Sequence, residues 1–145
     1  MAERITKETF AARYPGAKIV VRERAGGVAF LALSPGRVVL RMEGSIHFEH
    51  LIGVLRDGQP KETLASDQFN ALIDFSAFTG EIDWNAIRDI REIMPKGDSR
   101  TNKNAYVVRN DYYALTADVT RAIFAQTECR AFKCEEDALA WLGWS

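Results

Sequence analysis

The chain has 145 residues, 19 Lys and Arg against 20 Asp and Glu, and a formal net charge of −1. That length suits one domain, large enough to bury roughly 70% of the surface its unfolded chain would expose. No block of like charge offers a footprint for nucleic acid or an anionic membrane surface, and the longest purely apolar run, residues 28–33, is far too short to span a bilayer.

The opening residues, MAERITKE, are charged and lack the apolar stretch of a signal peptide, so the cytoplasm is the expected location. Residues 5–14 predict a short helix: Thr6 is its N-cap candidate, Phe10 and Tyr14 lie four apart on one face, and Pro15-Gly16 stops it. A β-prone run at 19–21 and a turn at 25–27 follow. Residues 28–33 and 37–43 then read as a hairpin closed by Ser34-Pro35-Gly36, with Val38, Leu40 and Met42 on one face and Val39, with Arg37 and Arg41, on the other.

Gly44 breaks the second strand, and Ser45 or His47 opens a helix. Phe48, Leu51, Ile52 and Leu55 repeat at i, i+3, i+4, i+7, the apolar stripe of an amphipathic helix. Gly58 ends it, Pro60 marks the stop, and 61–68 read as polar connection. Residues 69–76, FNALIDFS, form a short apolar run closed by Asp74 and Ser76, the pattern of a strand buried on both faces.

After a loop at 77–81, Asp83 is the N-cap candidate of a helix whose inner face holds Ala86, Ile87, Ile90, Ile93 and Met94. A polar loop at 96–103 leads to a strand at 105–108. Asn110 or Asp111 then caps a helix with Leu115, Val119, Ala122 and Ile123 turned inward. Residues 130–134 are the last strand and 135–144 the last helix, its first-turn acids placed where the helix dipole favours negative charge. Cys129 and Cys134 are five apart at that strand, a spacing that favours neither a disulfide nor a CxxC metal or redox site.

From residue 28 the order β-β-α-β-α-β-α-β-α predicts an α/β fold. Its sheet is expected to have four to five strands, mixed but mostly parallel, and to be covered by helices. Residues 1–27 read as an N-terminal extension to a domain at 28–145.

The order and spacing of these elements resemble the SpoIIAA-like, or STAS-like, small α/β domains. The likeness rests on a strand ending in Gly44 with a helix opening near Ile46, on LIDFS at 72–76, on AYVV at 105–108, and on a last strand followed by EEDALAWL at 135–142. It implies a regulatory protein-interaction module. In the anti-sigma-factor antagonists of that family, a strand ending D-L-S precedes a D-S-S-G motif whose serine is phosphorylated. Here Asp74-Phe75-Ser76 matches the first element, but Asp83 is followed by Trp84-Asn85-Ala86, so the phosphoacceptor serine is absent. A more distant likeness to the CRAL-TRIO lipid-transfer fold implies that such a sheet can hold an apolar ligand.

The candidate site residues divide into two groups. Asp74 and Ser76 lie at the carboxyl end of a strand, where open α/β sheets gather ligands; they either bind there or tie down the next loop. Tyr106 and Tyr112 either line a pocket with them or pack at a strand–helix junction. Phe78, Ile82, Asp83 and Trp84 occupy the stretch that the resemblance matches to a partner-binding loop, and Trp144 near the end is a further contact candidate.

The two histidines, His47 and His50, are three apart without an HExxH pattern, so no metal is expected. Without a nucleotide loop, a GxSxG elbow or a CxxC pair, no catalytic residue or cofactor is expected either. The leading expectation is a non-catalytic module that binds a protein or a second copy of itself, as a homodimer. The alternatives are a small apolar or lipid-like ligand held near Asp74, Tyr106 and Tyr112, and, more weakly, an enzyme pairing Asp74 with a histidine.

Overall fold

Short apolar runs bounded by glycine turns become strands, and the amphipathic stretches between them become the helices that cover the strands. The computed structural model describes residues 4–64, 69–94, 102–124 and 127–144. Its elements are α1 (Lys7–Arg13), β1 (Lys18–Arg24), β2 (Gly27–Ser34), β3 (Arg37–Gly44), α2 (Glu49–Gly58) and α3 (Pro60–Thr63), followed by β4 (Asn70–Phe78), α4 (Ile87–Ile93), β5 (Asn102–Val107), α5 (Asp111–Ile123), β6 (Thr127–Phe132) and α6 (Glu135–Leu142).

The strands form one α/β sheet in sequential order, β1 to β6. The β1/β2 and β2/β3 pairs are antiparallel, and the three pairs from β3 to β6 are parallel. The sheet thus has six strands rather than four to five. The additional strand is β1, which pairs with β2 along its whole length, Lys18 with Leu33 through Arg24 with Gly27. Part of the expected N-terminal extension therefore belongs to the sheet itself.

Both faces are covered, which is why β2 and β3 are buried almost throughout. On one face α2, α4 and α5 bring Leu51, Leu55, Ile87 and Tyr113 onto Leu31, Leu40, Ile73 and Phe75. On the other, α1 and α6 bring Phe10, Ala138 and Leu142 onto Phe30, Val39, Leu72 and Val107. Phe10 stacks on Phe30 with ring centroids 4.9 Å apart.

Several boundaries differ from the sequence expectation. Ser45 does not open α2; its hydroxyl bonds that of Thr79 at 2.6 Å, and the helix starts at Glu49. Pro60 opens α3 rather than ending helical structure, because Gln59 takes a left-handed conformation (φ 51°) and proline fits a first helical position. β4 continues to Phe78, so its loop begins at Thr79. Asp83 caps a turn rather than the helix, its Oδ1 accepting the N–H groups of Asn85 and Ala86, and α4 starts at Ile87.

Further along, Asn102 and Lys103 belong to β5, and the rest of the expected loop at 96–103 lies outside the described residues. α5 is rotated from the expected face. Tyr113, Thr116, Ala117 and Thr120 are buried, Ala122 is exposed and Leu115 is 49% exposed. The last strand lies at Thr127–Phe132 rather than 130–134, so Cys129 is buried within it while Cys134, exposed, precedes α6.

Gly44 makes the closest approach in the hairpin. It has φ +76°, and a Cβ there would lie 2.0 Å from the Gly26 carbonyl oxygen. Gly16 has a similar φ of +82° but open space around it. Gly44→Ala is therefore expected to lower stability by about 2 kcal/mol or more, and Gly16→Ala by distinctly less, since it meets the backbone penalty alone. Urea denaturation of the two variants checks this; equal losses would contradict the steric account.

Candidate functional site

The carboxyl ends of β3 and β4 differ from the rest of the sheet in carrying buried charge among the described residues. Arg41 pairs in register with Asp74, but Glu43 pairs with Ala77, so β4 holds one residue more than β3 over this span. This bulge resets the alternation, and Phe75 and Phe78 both pack into the core beneath α2, α4 and α5.

Asp74 shares its face with Arg41 and Glu43, under α1 and α6, and all three are buried, at 5%, 6% and 0% exposure. Arg41 donates from Nε to Glu43 Oε2 at 2.8 Å and from Nη1 to Asp74 Oδ2 at 2.6 Å. Asp74 Oδ1 accepts the Ser76 N–H at 2.9 Å. Glu43 Oε2 also accepts the Ile5 N–H at 2.9 Å, and the exposed Arg4 brings Nε to 3.7 Å from Glu43 Oε1. Burial works against the charge on Arg41, but Asp74 and Glu43 outweigh it and hold its pKa above the usual arginine value. Nearby, burial pushes the Tyr14 phenol up to about 12.

Asp74 therefore serves an internal ion network and the start of its own loop. It does not meet Tyr106. In register, Tyr106 lies beside Ile73 while Asp74 lies beside Val107, which puts the two side chains on opposite faces of the sheet. The Tyr106 ring is buried near Phe75, its hydroxyl bonds Thr120 Oγ1 at 2.7 Å, and burial raises its pKa. The expected ligand space between Asp74, Tyr106 and Tyr112 is thus not assembled, because the sheet runs between its members.

The histidines are also apart from Asp74. α2, which carries His50, packs on the opposite face, and burial with Arg24 nearby lowers the His50 pKa. Among the described residues, no group of three or more His, Cys, Asp or Glu is placed to hold a metal. Cys129 is a buried thiol, pushed up to about 11 by that burial.

A second constellation forms where the loop after β4 meets the start of α5. Asn110 caps α5 by accepting the Tyr113 N–H at 3.3 Å, which aims both tyrosines of the first turn at the loop. Tyr112 OH accepts the Ile82 N–H at 2.9 Å, and Tyr113 OH donates to the Gly80 carbonyl at 2.9 Å. Arg109 donates to the Phe78 carbonyl and lies over the Tyr113 ring. Trp84 sets its edge against Tyr112, centroids 5.8 Å apart and planes at 75°.

Together these contacts make a fixed aromatic ledge, with Tyr112 41% and Leu115 49% exposed at its outer edge. Beside it lies an open groove of about 740 Å³, lined by Ile46, His47, Glu49, Glu81 and Asp83 among others. Of the interaction candidates, Phe78 is core at 0% exposure and Ile82 is buried at 5%, because the Tyr112 bond draws its backbone inward. Asp83 is exposed and Trp84 half-buried. Trp144 is half-buried across the molecule, beneath the Arg37 guanidinium at 4.9 Å. Exposed apolar area has moved from Ile82 to Tyr112 and Leu115, residues that a hydropathy pattern turns inward.

Tyr112→Phe tests the pinning of the loop. It leaves the ring but removes the acceptor of the Ile82 N–H, and an orphaned, part-buried donor costs about 1–3 kcal/mol. Amide exchange at Ile82 is expected to quicken about tenfold or more while the β2 amides keep their rates; unchanged exchange at Ile82 would show that the bond does not hold the loop.

No protein-family model matches this chain, and no curated protein matches it.

Proposed function

We propose that the protein is a non-catalytic interaction module of STAS-like type, which binds another protein through the ledge formed by Trp84, Tyr112 and Leu115. The observation that carries this reading is the combination of exposure and fixation at one place. Tyr112 and Leu115 present apolar area to solvent while the Tyr112 hydroxyl and the Trp84 edge are already held. Ordered side chains lose little freedom on binding, and aromatic anchors carry a large share of interface energy.

The charges around the ledge, mostly acidic apart from Arg109 over the Tyr113 ring, support a partner of basic character. Glu81, Asp83 and Asp111 are exposed around the ledge, so the complementary surface is an apolar anchor flanked by basic residues. Asp83 is followed by Trp84 and not by a serine, so control by phosphorylation at that position is not part of the proposal. The apolar-ligand reading has less support, since its residues lie on different faces of the sheet.

The test is affinity capture from lysate with three immobilised proteins: wild type, Trp84→Ala/Leu115→Glu, and Arg56→Glu, a charge reversal at an exposed position of α2. The reading expects at least one protein enriched equally by wild type and Arg56→Glu and reduced about tenfold or more by the ledge variant, as loss of a hot spot of ~1.4 kcal/mol or more requires. Either no enrichment by wild type, or the same proteins on all three, would overturn it.

A further inference from the structure

The sheet ends at β6, and this edge has features that the ledge does not use. An open groove of about 560 Å³ runs along β6 from Thr127 to Ala131, with Ala114 and Ala117 of α5 on one side and Trp141 of α6 on the other. The Phe132 carbonyl accepts the Val108 N–H on the β5 side. With the strand's period of two, the backbone groups of Arg130 and Glu128 also face β5, and those of Thr127, Cys129 and Ala131 face outward along the groove; of these the Thr127 N–H is bonded to the Phe124 carbonyl at 3.1 Å, which leaves its carbonyl and the Cys129 and Ala131 groups for pairing. An edge of this kind is a template for another strand.

Charge settles which strand fits. Glu128 and Arg130 are exposed, two apart, and on the same face. Neither is in an ion pair among the described residues; Arg130 lies over the Trp141 ring at 5.2 Å. If a second β6 approaches antiparallel about a two-fold axis, the outward-facing residues must oppose one another to exchange backbone hydrogen bonds. Centred on Cys129, that register puts Glu128 opposite Arg130 of the second copy and Arg130 opposite its Glu128, at the close spacing of a non-hydrogen-bonded pair. A slip one way sets glutamate against glutamate, and a slip the other way sets arginine against arginine. The sequence Glu128-Cys129-Arg130 is therefore self-complementary in one register and repulsive in both neighbours.

We propose that two copies of this chain pair through β6, antiparallel and centred on Cys129, joining their sheets into one. In the single chain the outward carbonyl of Cys129 is covered by Arg121, which also bonds Asp118 Oδ1 at 3.0 Å. On pairing, Arg121 keeps Asp118 and gives up the carbonyl to the incoming N–H. The dimer edge is separate from the ledge, so the two proposals stand or fall independently.

The test is size-exclusion chromatography with light scattering on the full chain and on Glu128→Arg and Arg130→Glu, with circular dichroism to establish that each variant is folded. Wild type is expected at twice the chain mass and each variant alone at the chain mass, since each brings like charges together at both pairs. An equimolar mixture of the two variants restores both ion pairs and is expected to recover the dimer mass. A monomeric wild type at every concentration, the result also expected if the edge takes an extended peptide from another protein, would overturn the proposal. So would single variants that dimerise as wild type does, or a mixture that stays monomeric.

Discussion

A guanidinium buried between two carboxylates sets the terms for the middle of this molecule. Arg41 is enclosed with Glu43 on its own strand and Asp74 on the next, and a charge removed from water persists only where its partners are held in place. The network therefore constrains three things together. It fixes the parallel register of β3 against β4, just before the bulge that turns Phe75 and Phe78 into the same core. It places the start of the loop after β4, through the bond from the Ser76 N–H to Asp74. It anchors the entry to α1 through the bond from the Ile5 N–H to Glu43, and α1 in turn lays Phe10 over the sheet.

The ledge proposed as an interaction surface depends on this centre. Because β4 is fixed as far as Phe78, the chain that follows leaves the sheet at a defined point. The first turn of α5, positioned by β5 and capped by Asn110, meets it there with Tyr112 and Tyr113. The ledge is thus built on rigid elements, although much of it is nominally loop. The β6 edge has the same character: α5 and α6 flank it, and its charges alternate with buried Cys129.

What the sequence disclosed follows from how local its signals are. The 28–43 hairpin and the α2 stripe were legible, because glycine turns and a 3.6-residue repeat are read within a short window. The inward face of α5 was not. Two of its buried positions, Thr116 and Thr120, are polar in composition; the Thr120 hydroxyl is matched, donating to the Thr116 carbonyl and bonding Tyr106, while the Thr116 hydroxyl is buried without a partner among the described residues. The Arg41–Glu43–Asp74 network was hidden for a different reason. Arg41 and Glu43 at i and i+2 mark one face of β3, but that face is closed by α1 and α6, from the two ends of the chain. A local pattern cannot distinguish it from a solvated face. Asp74 was read as either a binding carboxylate or a tie for the next loop; its bonds go to Arg41 and to the Ser76 N–H, and Tyr106 lies on the other face of the sheet.

The central claim, that this network organises the β3–β4 centre, is tested most directly by a double-mutant cycle of Arg41→Met and Asp74→Asn followed by urea denaturation. Arg41→Met alone strands two buried carboxylates and is expected to cost about 3–5 kcal/mol. The double variant is expected to cost less than the sum of the singles by at least ~1 kcal/mol, because removing one partner spares the other's isolation. An Arg41→Met loss below about 1 kcal/mol, with costs that simply add, would contradict the account.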